Sequence, residues 1–143
     1  MRTTCQTIDT RWGSENHPHY SHGNTLPYTG VPFGMNYFLP QTTHEQGAWF
    51  FNPNLPIFQG FRLTHQPSPW IGDYAWCLIT PITGEVTSSD LFRRQSSYSM
   101  KEALFQPHYL RIFSERYQIQ SELVPSRYGA VMRFQAPEKL TLC

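Results

Sequence analysis

The stretch His65-Gln66-Pro67-Ser68-Pro69-Trp70-Ile71-Gly72-Asp73 holds the densest set of side chains able to do chemistry. An imidazole, an indole and a carboxylate fall in one short loop, and its prolines lower the entropy cost of holding a single shape. A fixed loop presenting Trp70 beside His65 and Asp73 suits a sugar. The ring covers the apolar C–H face of a pyranose while the polar groups take its hydroxyls. A purely structural reading fits equally well on physical grounds: Trp70 caps the core and Asp73 closes an Asx-turn.

Two other groupings are weaker. In His17-Pro18-His19-Tyr20-Ser21-His22, an extended backbone puts His17 and His19 on one face, as zinc or copper ligands would be. The cluster lacks the Cys companions of a zinc site, so the expectation is a polar loop that binds no metal. Ser and His are present without a G-x-S-x-G elbow or a G-x-x-x-x-G-K-[ST] loop. A glycosidase needs two placed carboxylates. Asp73 is the single carboxylate in a loop of this character. Glu15 and Glu45 fall in other loops, and Glu115 and Glu122 are expected to be solvated near hairpins. No catalytic residue is assigned.

The elements that must position the loop read as strands. Phe58-Gln59-Gly60-Phe61-Arg62-Leu63 alternates, with Gly60 as a candidate bulge. Tyr74 to Thr80 is a near-continuous apolar run stopped by Pro81, as expected of a strand buried on both faces. Met35-Asn36-Tyr37-Phe38-Leu39 and Trp49-Phe50-Phe51 are further extended pieces. Tyr109–Phe113, Ile119–Leu123 and Ala130–Phe134 follow one another. Ile119, Ser121 and Leu123 share one face while Gln120 and Glu122 share the other, the period-2 pattern of a half-solvated antiparallel strand. Connectors at Arg116-Tyr117-Gln118 and Ser126-Arg127-Tyr128-Gly129 predict consecutive hairpins. Only Lys101-Glu102-Ala103-Leu104 invites a helix, truncated by Pro107. The sum is an all-β chain, an antiparallel β-sandwich. A last alternating run, Lys139-Leu140-Thr141-Leu142-Cys143, begins where the sequence ends, so the domain is expected to be incomplete there.

Composition agrees and excludes other classes. The 143 residues suit one domain, aromatics reach 15%, and twelve Pro with nine Gly imply many turns. A net charge of +1 is too small for a nucleic-acid footprint. No stretch approaches the roughly 18 apolar residues of a membrane span. The three Cys have no C-x-x-C spacing. Cys77 is expected to be a buried thiol, and a reducing cytoplasm is the simplest compartment.

Several segments, in order, resemble the amino-terminal domain of glycoside hydrolase family 92. Asn24-Thr25-Leu26-Pro27-Tyr28-Thr29-Gly30-Val31-Pro32-Phe33-Gly34-Met35 is similar to a segment in which Asn-Thr precedes a Pro-Phe-Gly-Met turn. Pro40-Gln41-Thr42 stands where the family has Pro-Asp-Thr. Gly60-Phe61-Arg62-Leu63-Thr64-His65 resembles Gly-Phe-Ser-His-Thr-His, departing at Arg62 and Leu63. Gly72-Asp73-Tyr74 and the run to Pro81 resemble its Gly-Asp turn and buried strand. Pro107-His108-Tyr109, Glu115 to Ile119 and Glu122-Leu123 track its closing hairpins, with Gln118 replacing a Gly and Met100 standing in place of a His.

The resemblance spans about Trp12 to Phe134. It implies that residues 1–143 are the amino-terminal β-sandwich of a calcium-dependent, inverting α-mannosidase, truncated before the catalytic α/α barrel. That barrel would carry the acid, the base and the calcium contacts, leaving no metal on this chain and no activity for it alone. The implied partners are a mannose-containing glycan and the α/α-barrel catalytic domain normally on the same chain. By position, His65, Trp70 and Asp73 are the implied sugar contacts. The alternative is a stand-alone lectin-like module or a non-functional gene remnant.

Overall fold

A computed structural model describes residues 7–15, 25–43, 50–65 and 77–143. Among them the elements are β1 (Tyr37–Gln41), β2 (Ile57–Phe58), β3 (Gly60–Thr64), β4 (Cys77–Ile79), β5 (Pro81–Thr83), α1 (Leu91–Arg94), β6 (Ser96–Ser97), β7 (Leu104–Gln106), β8 (Tyr109–Ser114), β9 (Ile119–Pro125), β10 (Ala130–Gln135) and β11 (Leu140–Leu142). All strand pairs are antiparallel. They form a three-stranded sheet β1-β3-β4, a four-stranded sheet β10-β9-β8-β7, and two ribbons, β11-β5 and β2-β6.

The four-stranded sheet follows the alternation in its sequence. Ile119, Ser121, Leu123 and Pro125 of β9 are buried while Gln120, Glu122 and Val124 face outward. Leu110 and Ile112 of β8 join Leu123 in the core, together with Phe38, Leu39 and Phe61 from the three-stranded sheet. Each such fully buried apolar side chain contributes about 1.5–3 kcal/mol relative to exposure. Rings fill the space between: Phe58 meets Phe61 edge-on at 4.9 Å, and Phe51 lies 5.8 Å from Phe105. The chain is an all-β antiparallel fold, with one four-residue helix among the described residues.

Gly60 lets the chain change sheets. Phe58 pairs with Ser96, but from Gly60 onward the chain pairs with β1, opposite Gln41. The glycine has φ +143°, and a Cβ there would sit 2.7 Å from the Ile79 carbonyl oxygen. The bulge expected at this glycine is a switch between two strands.

Several expectations are corrected. Pro81 does not simply stop a strand; it begins β5, the first-residue position where a missing N–H is tolerated. Cys77, Leu78 and Ile79 are half-buried, not buried on both faces, because β4 is an outer strand of its sheet with β3 on one side. The alternating run at Lys139–Cys143 does form its strand, β11, which lies on β5, with Cys143 and Thr80 exchanging backbone hydrogen bonds at 2.8 and 3.1 Å. Phe50 and Phe51 are not a strand. Phe50 turns with φ +66°, and its carbonyl accepts from Thr42 and Thr43, so Phe51 drops into the core from a loop. Lys101 to Leu104 is a turn entering β7, with the Ser99 carbonyl accepting from Glu102 and Ala103. A segment this short has no helical nucleus to set against sheet pairing. The helix is instead Leu91–Arg94, where the Asp90 carboxylate caps the Phe92 amide at 2.9 Å.

Candidate functional site at one end of the sandwich

In the sequence, His65 to Asp73 lies between β3 and β4. Tyr37 opposes Thr64 and Cys77 opposes Leu63, so the entry of β1, the exit of β3 and the entry of β4 share one end of the three-stranded sheet. His65 is the first residue past Thr64, and it is exposed there. Trp70 and Asp73 lie outside the described residues, as do His17, His19, His22 and Glu45. Of the three residues singled out for a sugar, the structure therefore places His65.

The turn leading into β1 borders the same end, and it holds residues that the sequence reading did not select. Phe33 is 93% exposed with φ +57°, Met35 is 58% exposed, and Tyr128 on the β9–β10 hairpin tip is 73% exposed. Large apolar side chains cost free energy when held in water. A non-glycine residue at positive φ adds backbone strain, which is often kept where it serves function.

Backbone and side-chain bonds fix this turn. The Gly34 amide donates to the Val31 carbonyl at 3.0 Å, the Met35 amide to Arg127 at 2.7 Å, and the Asn36 side-chain amide to the Tyr128 carbonyl at 2.8 Å. The Ser126 amide donates to Gly129 at 2.7 Å and closes the hairpin tip. On its other flank the Gly30 amide donates to Pro107, which starts the β7–β8 turn carrying exposed His108. The turn thus spans the gap between the β7–β8 and β9–β10 hairpins. In the sequence the clue to this turn is Pro32-Phe33-Gly34-Met35.

Beneath it, Tyr28 and Tyr37 pack 5.6 Å apart at a tilt. A Cβ at Gly30 would overlap the Tyr37 ring, so glycine there permits the close approach. Burial pushes the Tyr28 hydroxyl well above the usual phenol range. Further along the sheet, Gln41 is fully buried and its amide donates to Gln59 at 2.8 Å, while Arg62 donates to Gln41 at 2.5 Å and stacks over Phe50 at 4.5 Å. Burial lowers the Arg62 guanidinium from its usual range.

Several of the described carboxylates are engaged by other groups. Asp9 binds Arg11 at 2.6 Å, Glu15 accepts from Asn54, and Glu115 accepts from Ser97. Glu122 was expected to be solvated. Its side chain is only 11% exposed, held by the Tyr109 hydroxyl and by Arg133 at 2.5 Å. Register explains this, since Glu122 lies opposite both Arg133 and Arg111 on the outer sheet face. The Tyr109 and Arg133 hydrogen bonds hold its carboxyl below the usual range. Among the described residues no three His, Cys, Asp or Glu cluster as metal ligands would. The arrangement suits contact with an apolar or sugar surface at the end of the sandwich.

Residues 7–141 match the glycosyl hydrolase family 92 N-terminal domain. An inverting family 92 mannosidase of Bacteroides thetaiotaomicron superposes on 99% of this chain with a TM-score of 0.82 and 32% identity. A second α-mannosidase of the same organism and family, solved with mannoimidazole, gives 0.77 over 94% of the chain at 23% identity, which bears on fold alone. The chain spans 19% of the length of each. No curated protein sequence matches it. With 135 consecutive positions matched, residues 7 to 141, the chain belongs to the glycosyl hydrolase family 92 N-terminal domain family.

Proposed function

We propose that this chain is the sugar-site-completing, amino-terminal part of a calcium-dependent, inverting α-mannosidase that removes α-linked mannose from glycans such as the α1,2-linked branches of N-glycans. The observation carrying the proposal is the match of nearly the whole chain to 19% of an inverting mannosidase at 32% identity, together with the match to the family's N-terminal domain. Bond cleavage belongs to an α/α-barrel domain, which supplies the acid, the base and the calcium contacts. An inverting site spaces its carboxylates about 6.5–9.5 Å apart around a water, which requires a formed cleft. This chain closes the cleft from one side. His65, Trp70 and Asp73 meet the sugar, and Phe33, Met35 and Tyr128 add exposed apolar surface beside the turn that enters β1.

The test is a chimaera in which this chain replaces the corresponding segment of the 32% identical mannosidase. The expected result is mannose release from α1,2-mannobiose with inversion, lost on calcium chelation. The chain alone should release none. A chimaera that melts cooperatively as one unit yet cleaves no mannoside would refute the proposal. Tight binding of mannobiose by the chain alone would favour the lectin-like alternative.

A further inference from the structure

We propose that β10 is the contact through which two copies of this chain pair, edge to edge, about a two-fold axis centred on Met132. β10 ends the four-stranded sheet, with β9 on one side of it. The hairpin before it fixes which way its backbone points. The Ser126 amide donates to the Gly129 carbonyl, so those two residues are a bonded pair. Bonded and non-bonded pairs alternate along an antiparallel ladder. Val131, Arg133 and Gln135 therefore bond to Val124, Glu122 and Gln120. Ala130, Met132 and Phe134 turn their amides and carbonyls away from β9. No described residue bonds to these outward groups. Other edges are met by the chain itself. On β7 the outward Phe105 carbonyl accepts from the Thr10 amide, and on β1 Phe38 and Thr29 exchange bonds.

Exposed edges are ordinarily blunted by proline, lysine or a bulge. β10, Ala130-Val131-Met132-Arg133-Phe134-Gln135, has neither residue, and its register with β9 runs without interruption. Its inner side chains, Ala130, Met132 and Phe134, pack on the core yet stay half-buried, and Val131 on the outer face is 73% exposed. The strand is also self-complementary. Centred on Met132, antiparallel pairing joins Ala130 to Phe134 of the second copy, Met132 to Met132, and Phe134 to Ala130. Every outward amide and carbonyl then finds a partner, and the smallest side chain faces the largest. On the outer face Val131 lies beside Arg133 of the second copy, whose guanidinium stays on Glu122. Centring on Arg133 instead would leave Ala130 out and set two guanidiniums opposite, where like charges destabilise. Such a contact uses the same patch on both copies and closes at two. It makes one continuous sheet of the two four-stranded ones. A single strand pair buries less than the roughly 1,200 Å² of a standard stable interface, so the dimer is weak and exchanges.

Sedimentation equilibrium on the full chain tests this. The mass should climb from monomer to dimer between about 10 μM and 1 mM, the range of a small interface, and stop there. Val131 is exposed, so substitutions there leave the fold intact. Val131→Lys meets Arg133 of the second copy at two symmetric places and should weaken the dimer about threefold to tenfold, while Val131→Glu should tighten it by a similar factor. A chain that stays monomeric across the range, or a mass that climbs past the dimer, would overturn the pairing. A dimer that ignores both variants, or shifts the same way in both, would overturn its placement on β10.

Discussion

Gly60→Ala tests the sheet switch that carries His65. The new Cβ would lie 2.7 Å from the Ile79 carbonyl oxygen, 2.9 Å from the Thr80 hydroxyl and 3.0 Å from Leu78 Cδ1, at the contact of β3 with the end of β4. The carbonyl cannot swing away without disturbing the β3–β4 ladder, and the Thr80 hydroxyl is committed to the Gln59 carbonyl at 2.7 Å. Forcing a side chain into filled space costs about 1–3 kcal/mol. Holding alanine at φ +143° adds roughly 1–3 kcal/mol. The sum, about 2–6 kcal/mol, is a large part of the roughly 7–20 kcal/mol expected for a chain of this size. Two glycines serve as controls. Gly84 has φ +81° with nothing within 4 Å, so Gly84→Ala should show strain alone, about 1–2 kcal/mol. Gly129 has open space and no positive φ, so Gly129→Ala should gain about 0.4–1 kcal/mol through the unfolded chain. Urea unfolding followed by circular dichroism, with an unchanged m-value, reads all three. If Gly60→Ala costs no more than Gly84→Ala, close packing at the switch is wrong.

Other outcomes follow from the same contacts. Phe33→Gly should stabilise the isolated chain by about 1 kcal/mol, since it relieves φ +57° and removes a ring that is 93% exposed; a lower melting temperature would show that the ring packs. Glu122 has a depressed carboxyl, so its stabilisation is complete above the unfolded carboxylate range and lost as pH falls through the lower folded value. Thermal melts from pH 6 to 3 should therefore decline, and Glu122→Gln should decline less steeply; equal slopes would remove Glu122 from the account. A double-mutant cycle of Gln41→Ala with Arg62→Ala should give a coupling of roughly 0.5–3 kcal/mol, because the pair shares one hydrogen bond at the buried end of β1. Additive losses would mean the bond contributes nothing.

The second half of the fold was readable because one face of its sheet is wet. From Tyr109 to Gln135 the apolar alternation and the turn residues agree, so strands, hairpins and facing fall where the sequence puts them. The first half is harder for a physical reason. Its short strands are buried on several sides, so Phe38, Leu39, Pro40 and Gln41 are all buried in succession and show no period. Phe51 reaches the core from a loop, and its β-propensity was read as a strand. Pro81 was read as a terminator because a proline in mid-strand would be one. Its place at the first residue of β5 depends on β11, which lies far along the chain.

Side-chain chemistry draws the eye in the sequence to His65, Trp70 and Asp73, an imidazole, an indole and a carboxylate within nine residues. Nothing draws it to Phe33 and Tyr128, since an aromatic residue in a β-rich chain is ordinarily core. Only solvent exposure separates these rings from Phe61 and Phe105, and exposure is set by tertiary contacts: the Met35 and Asn36 bonds to the hairpin at residues 126–129 hold the turn at the end of the sandwich. Their position beside the exit of β3 then follows from register, because Tyr37 must oppose Thr64 for Phe38 and Phe61 both to reach the core. The same burial that fixes the sheet therefore gathers three separate turns at one end. That gathering is a property of pairing across the sandwich, and no local stretch of sequence contains it.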